Sequence, residues 1–170
     1  MILNNYYNYI RSEYGTISAT SSRVDVGSYG LKNHNGGTLD YIYNYGSGND
    51  QIIRGHKNRA VHDNLHIECG TGNTQPSVSD YNLTSPVSLT KLTENVTYTI
   101  NQDNKLEITI TGSYKNETGS AVTISEVGIS KGVYQNDNST ETQVLLTKNL
   151  ITPITVENNE VVLFTIRWTE

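Results

Sequence analysis

The side chains of this chain able to do acid–base, nucleophilic or metal chemistry are four histidines, a single cysteine and seventeen carboxylates. His62 and His66 stand four apart with Asp63 and Glu68 close by, a spacing that brings two zinc ligands together on a helix. The residues around them alternate instead, Leu65, Ile67 and Cys69 against His66 and Glu68, which predicts a strand and reads both histidines as structural or solvent-facing. Asp137-Asn138-Ser139-Thr140-Glu141 offers oxygens to calcium but lacks the Asp-x-Asp-x-Asp-Gly pattern, so it reads as a solvated loop. No Gly-x-Ser-x-Gly elbow, phosphate loop or recognisable Cys/His arrangement occurs, and no carboxylate pair stands out for glycosidic cleavage. The expectation is a protein that is not an enzyme and has no catalytic residues, metal or cofactor. Cys69 reads as a small buried hydrophobe. Tyr41, Tyr43 and Tyr45 read as strand packing or subunit contact, where tyrosine is enriched, ahead of a platform for stacking on sugar rings.

The elements that would position these residues turn on the stretch Leu65 to Val87. It runs from a short alternation through Gly70-Thr71-Gly72 to a polar loop ending in Asp80-Tyr81-Asn82-Leu83. Glycines at 70 and 72 let the backbone approach another strand closely. Asp80 is placed to cap its own turn and Tyr81 to plug the sandwich edge. Before this stretch, Ile2, Tyr6, Tyr9 and Ile10 recur at helical spacing up to Gly15, which predicts a short amphipathic helix over 2–14. Its Asn and Tyr content makes it a poor isolated helix, so it reads as an arm docked on its own domain, a sister subunit or a neighbouring protein. Weak alternation over 16–30, a Tyr-rich strand over 39–45 and a short strand over 51–54 follow.

After it the pattern is β throughout. Val96, Tyr98 and Ile100 alternate with threonines, Asn101 to Asn104 turn the chain, and Leu106, Ile108 and Ile110 alternate again, which predicts a hairpin with one buried face. Val122 to Ile129 is the next strand, with a bulge or close backbone approach at Gly128. Val133 to Thr142 reads as a polar loop, then Val144–Leu146, Ile151–Val156 and Val161–Trp168 as the last strands, the final one with Val162, Phe164, Ile166 and Trp168 on one face. The fold expected is all-β, an antiparallel β-sandwich of jelly-roll type over residues 16–170, with a short N-terminal docking arm or helix over 1–15.

Gly70, Thr71, Gly72, Pro76, Ser79, Asp80, Tyr81 and Leu83 in that order, then Pro86-Val87 and Glu126-Val127-Gly128-Ile129, resemble a family of small tailed-bacteriophage virion proteins over about residues 67 to 168. The chain departs from that pattern at Asn158-Asn159-Glu160, where a Gly-containing turn is common, and its first sixty residues carry none of the motifs. The resemblance implies a place in a particle more than a chemistry. It implies a virion accessory protein, self-associating (a trimer favoured) and in contact with other virion proteins such as the capsid protein, as head decoration or head fibre. A neck or tail adaptor, or a carbohydrate-binding module that meets a host glycan through Tyr41, Tyr43, Tyr45 and Trp168, is the alternative. Within that reading Gly70, Thr71, Gly72, Asp80, Tyr81 and Gly128 are structural, and Tyr6, Tyr7, Tyr9, Ile10, Tyr41, Tyr43 and Tyr45 are assembly contacts.

Composition agrees with a packed neighbourhood. Charged residues are 17% and the surface is left to Asn, Thr, Ser, Gly and Tyr. A net charge of -5 without any basic cluster argues against wrapping nucleic acid. No basic and apolar leader and no long apolar run is present, so the expected location is a virion assembled in the host cytoplasm, with no membrane partner. One cysteine makes no internal disulfide.

Overall fold

In the computed structural model, residues 1–7, 23–25, 30–39, 41–43, 65–135 and 140–169 are described. They contain strands β1 (Arg23–Asp25), β2 (Tyr41–Tyr43), β3 (Leu65–Gly70), β4 (Pro86–Val87), β5 (Thr90–Ile100), β6 (Leu106–Lys115), β7 (Val122–Gln135), β8 (Thr140–Val156) and β9 (Val161–Thr169). The expected hairpin is β5–β6, and β9 pairs along its other side to complete a three-stranded antiparallel sheet. Register follows the pleat: Ile110 lies between Val96 and Ile166, and Ile108 between Tyr98 and Trp168, so these apolar residues of the three strands share one face. The Asn101 side chain accepts from the N–H groups of Asp103 (2.9 Å) and Lys105 (3.0 Å), and Asn104 takes the left-handed conformation at φ 57°.

The second sheet is built on β7. Strand β8 pairs along one side of it, β3 along the other over Glu126 to Lys131, and β2 continues that side at Tyr134; β4 and β1 extend the sheet from β3 and β2. The sequence splits β8 into two strands and reads 133–142 as loop. Instead β7 runs on to Gln135 and β8 is continuous from Thr140 to Val156, with register shifts between Ile124 and Glu126 and between Ile129 and Ser130. Backbone pairing needs no apolar side chain, so residues 147–150 continue the ladder although their pattern does not alternate. Gly128 sits beside the second shift, where a Cβ would lie 2.7 Å from the Thr147 carbonyl oxygen.

The two sheets bury a common core in which Ile108 and Ile110 of β6 meet Ile67, Cys69, Ile124, Ile129 and Val144. The fold is therefore an all-β sandwich. A second small core lies across the other face of the larger sheet, where Leu145, beside Ser130, packs with Leu83 and Leu3. The loop after β3 thus folds back as a cover over the sheet.

Leu3 arrives there by strand pairing. The Leu3 N–H donates to the Leu146 carbonyl (2.9 Å) and the Lys148 N–H to that of Met1 (3.0 Å). Of the helix expected over 2–14, residues 4–7 are helical among the described residues and 8–14 lie outside them. Asn5 locks the turn by exchanging two 2.9 Å hydrogen bonds with the backbone of Lys32. Of the three docking partners left open by the sequence, residues 1–7 use their own domain. Tyr6 is accordingly corrected from an assembly contact to a core residue: it is 8% exposed and meets Trp168 edge-on, with ring centroids 5.8 Å apart.

Candidate functional site

Glu126 lies on the β7 face turned towards the cover loop and is fully buried. A buried carboxylate must have its lone pairs occupied, and these are. Oε1 accepts from the N–H groups of Gly72 (3.2 Å) and Ser85 (2.8 Å), and Oε2 from that of Thr84 (3.1 Å). The Lys148 ammonium stands 3.6 Å from Oε2 and 3.0 Å from Asp80 Oδ2, and donates to the Thr84 hydroxyl at 2.8 Å. A Cβ on Gly70 or Gly72 would come within 2.5 Å of Glu126 Oε1. Gly70, Gly72, Asp80 and Gly128, far apart in sequence, therefore converge on one carboxylate and the strand beside it. Through these three N–H groups Glu126 holds the cover loop down on the sheet.

The cover loop and the turn over 33–37 border a groove. The turn is closed by the Asn33 side chain, which accepts from the N–H groups of Asn35 and Gly37 (both 3.0 Å), with Gly36 at φ 78°. Asn82 ties turn to loop by donating from Nδ2 to the His34 carbonyl at 3.2 Å. Two cavities of about 310 and 450 Å³ share His34 and Asn82 as lining. The first also holds Glu68, Cys69, Ser88 and Tyr114; the second holds Asn35, Asp80, Tyr81 and Lys148. His34 Nε2 lies 3.4 Å from Glu68 Oε1 but makes no hydrogen bond and is out of contact with solvent. Tyr81 does not plug the sandwich edge as expected. The residue stays 37% exposed, with the Lys32 ammonium 5.5 Å from the ring centroid and the backbone of Gly36 against the ring.

A second polar centre sits where the two sheets meet. Glu94 occupies an inward position of β5, opposite Gly112, and its carboxylate reaches the margin of β3 beyond the end of β4. It accepts from the Ile67 N–H (2.8 Å) and the Tyr114 hydroxyl, and pairs with His66 Nδ1 (2.9 Å) and Lys91 (3.3 Å). Burial raises the Glu94 pKa, but the hydrogen bonds from His66, Tyr114 and Ile67 outweigh it and hold the carboxyl at about 2. The same contact and burial raise the Tyr114 phenol. Burial pushes the Cys69 thiol up to about 12, assisted by the charges of Glu68 and Glu94, so it is a protonated core side chain.

Among the described residues no group of three or more His, Cys, Asp or Glu side chains is placed to hold a metal ion, and no helix is long and apolar enough to cross a membrane. His66, read as structural or solvent-facing, is a partner of Glu94. Thr71 is exposed and pairs through its N–H with the Ser85 carbonyl at 2.9 Å, and Tyr7 is exposed. Tyr41 and Tyr43 lie in β2, while Tyr9, Ile10, Tyr45, His62 and 136–139 fall outside the described residues. Sequence reasoning passed over His34, Glu94 and Lys148. Glu94 carried a signal, a charge at the apolar phase of the Val96–Tyr98 alternation; the other two carried none. No protein-family model, curated protein or solved structure matches this chain.

Proposed function

We propose that this protein is a non-enzymatic structural component of a tailed-phage virion, a self-associating β-sandwich that decorates or extends the capsid. Its work is the burial of complementary surface, and the observation that carries the reading is the outer face of the three-stranded sheet. Rows Asn95–Thr111–Thr165 and Thr97–Thr109–Arg167 make it largely hydroxyl and amide, and the next row ends in Leu163, 79% exposed, beside exposed Val161. Among the described residues both margins of this sheet, β5 and β9, pair only with β6. Open strand margins with little charge and protruding aliphatic side chains are what free monomers avoid and assembled subunits cover. A stable contact there requires on the order of 1,000 Å² or more of buried surface. The resemblance carried by Gly70 to Leu83 and Glu126 to Ile129 supplies the context of a phage particle. The N-terminal arm enters this reading differently from the expectation. Its residues 1–7 pack on the sandwich, and among them Tyr7 is exposed towards a neighbour.

Quantitative mass spectrometry of purified particles tests the proposal by counting this chain against the major capsid and portal proteins. Many copies in proportion to the capsid lattice support decoration or head fibres, and a few copies matching portal or tail symmetry support the neck or tail adaptor. Absence from the particle overturns the proposal. A Leu163→Lys variant that folds normally is expected to incorporate poorly.

A further inference from the structure

The groove beside the cover loop has no part in surface burial on the opposite sheet, yet it holds polar atoms that the fold leaves unused. Asp80 commits Oδ2 to the Ser77 N–H (3.1 Å) and to Lys148 (3.0 Å), while its Oδ1 has no partner among the described residues. The Tyr81 hydroxyl and the Asn35 carboxamide make no hydrogen bond among the described residues, and His34 Nε2 is buried without one. These groups border one cavity of about 450 Å³, within the range of small-molecule sites.

The charges around it select the ligand. Around the groove the carboxylates of Asp80, Glu126 and Glu68 stand against two ammoniums, Lys148 between Asp80 and Glu126 and Lys32 at 5.5 Å from the Tyr81 ring centroid. The surroundings are net negative, so an anion such as phosphate is repelled, and the position a bound cation would take between the two carboxylates is filled by the ammonium itself. What remains is a neutral molecule with several hydroxyls for Asp80 and Asn35, and with C–H surface for the exposed part of the Tyr81 side chain. We infer that the groove between the 33–37 turn and the 79–84 loop binds a neutral saccharide residue, with Asp80 and Asn35 as hydrogen-bonding groups and Tyr81 as the apolar wall. The inference does not depend on the assembly role. Because the neighbouring cavity of about 310 Å³ shares His34 and Asn82, a glycan chain has room for a second residue towards Ser88.

The test is an amide-resolved NMR titration of the full chain with three kinds of probe: methyl glycosides of glucose, galactose and N-acetylglucosamine; their linear trisaccharides; and inorganic phosphate. Binding with Kd on the order of 1 mM is expected for at least one sugar, with shifts confined to Asn35, Asp80, Tyr81 and Asn82. Tyr81→Ala and Asn35→Ala should each weaken it about tenfold or more, equivalent to about 1.4 kcal/mol. Asn35→Ala removes only an exposed, unbonded side chain, so its unchanged thermal midpoint separates lost binding from lost folding. A trisaccharide that binds about tenfold more tightly and also shifts Ser88 identifies a glycan chain as the ligand, and equal affinity identifies a single-residue site that a free sugar fills. No shift from any sugar well above millimolar concentration, binding unaffected by both substitutions, or phosphate binding more tightly than every sugar overturns the inference.

Discussion

Replacing Glu126 by Gln preserves volume and removes one charge from a side chain with no exposed surface. In the native protein Oε1 serves two N–H groups and Oε2 serves the Thr84 N–H while facing Lys148. A carboxamide has one acceptor. Its best orientation keeps the oxygen towards Gly72 and Ser85 and turns the NH₂ onto the Thr84 N–H and the ammonium, donor against donor. An unpaired buried donor costs about 1–3 kcal/mol, and breaking a buried ion pair about 3–5 kcal/mol. Lys148 keeps Asp80 at 3.0 Å, which places the expected loss at the low end of the second range, about 3 kcal/mol. For a chain of this size that is a fall in Tm of roughly 6–12 °C. Thermal and urea unfolding followed by circular dichroism measure it, with an unchanged urea m-value showing that both states keep their exposed surface. A double-mutant cycle with Lys148→Met should return a coupling energy of about 1 kcal/mol or more. A loss under about 1 kcal/mol, or no coupling, would refute the view that this carboxylate fastens the cover loop.

Three further outcomes are expected. Glu94 has a folded pKa of about 2 against an ordinary 4.5, so its stabilisation is fully present above about 4.5 and is lost as pH falls from there through about 2. Urea midpoints across that window should drop in the native protein and flatten in Glu94→Gln, and identical acid limbs would remove Glu94 from the account. Leu3→Ala should cost roughly 2–5 kcal/mol and speed hydrogen exchange of the Lys148 amide, which bonds the Met1 carbonyl; a change under about 1 kcal/mol would mean the arm is not part of the folded unit. Cys69 should resist a thiol-exchange reagent in the native state and react at the rate of unfolding, since a buried thiol at about 12 offers almost no thiolate; prompt native labelling would contradict its placement.

Local pattern sufficed for the hairpin β5–β6, for β9 and for the all-β class, because a two-residue alternation of apolar and polar side chains has one way to hide its apolar face. It also marked Gly70, Gly72, Asp80 and Gly128 as residues with structural duties. Tertiary structure alone decided what those duties were: Glu126 sits 54 positions beyond Gly72 and bonds its N–H, and Lys148 completes the cluster from a third strand. Strand β8 read as broken because its middle does not alternate, yet the neighbouring backbone of β7 supplies its hydrogen bonds regardless of side chain. Tyr6 read as an outward contact because helical spacing shows an apolar face and not what covers it; Trp168, distant in the chain, is what it packs against. The groove formed by His34, Asp80 and Tyr81 had no sequence signature, since it comes from two polar loops brought side by side by the strands beneath them. A one-dimensional pattern records which side chains avoid water, and the pairing of buried charges and the meeting of loops are settled only when distant strands set their spacing.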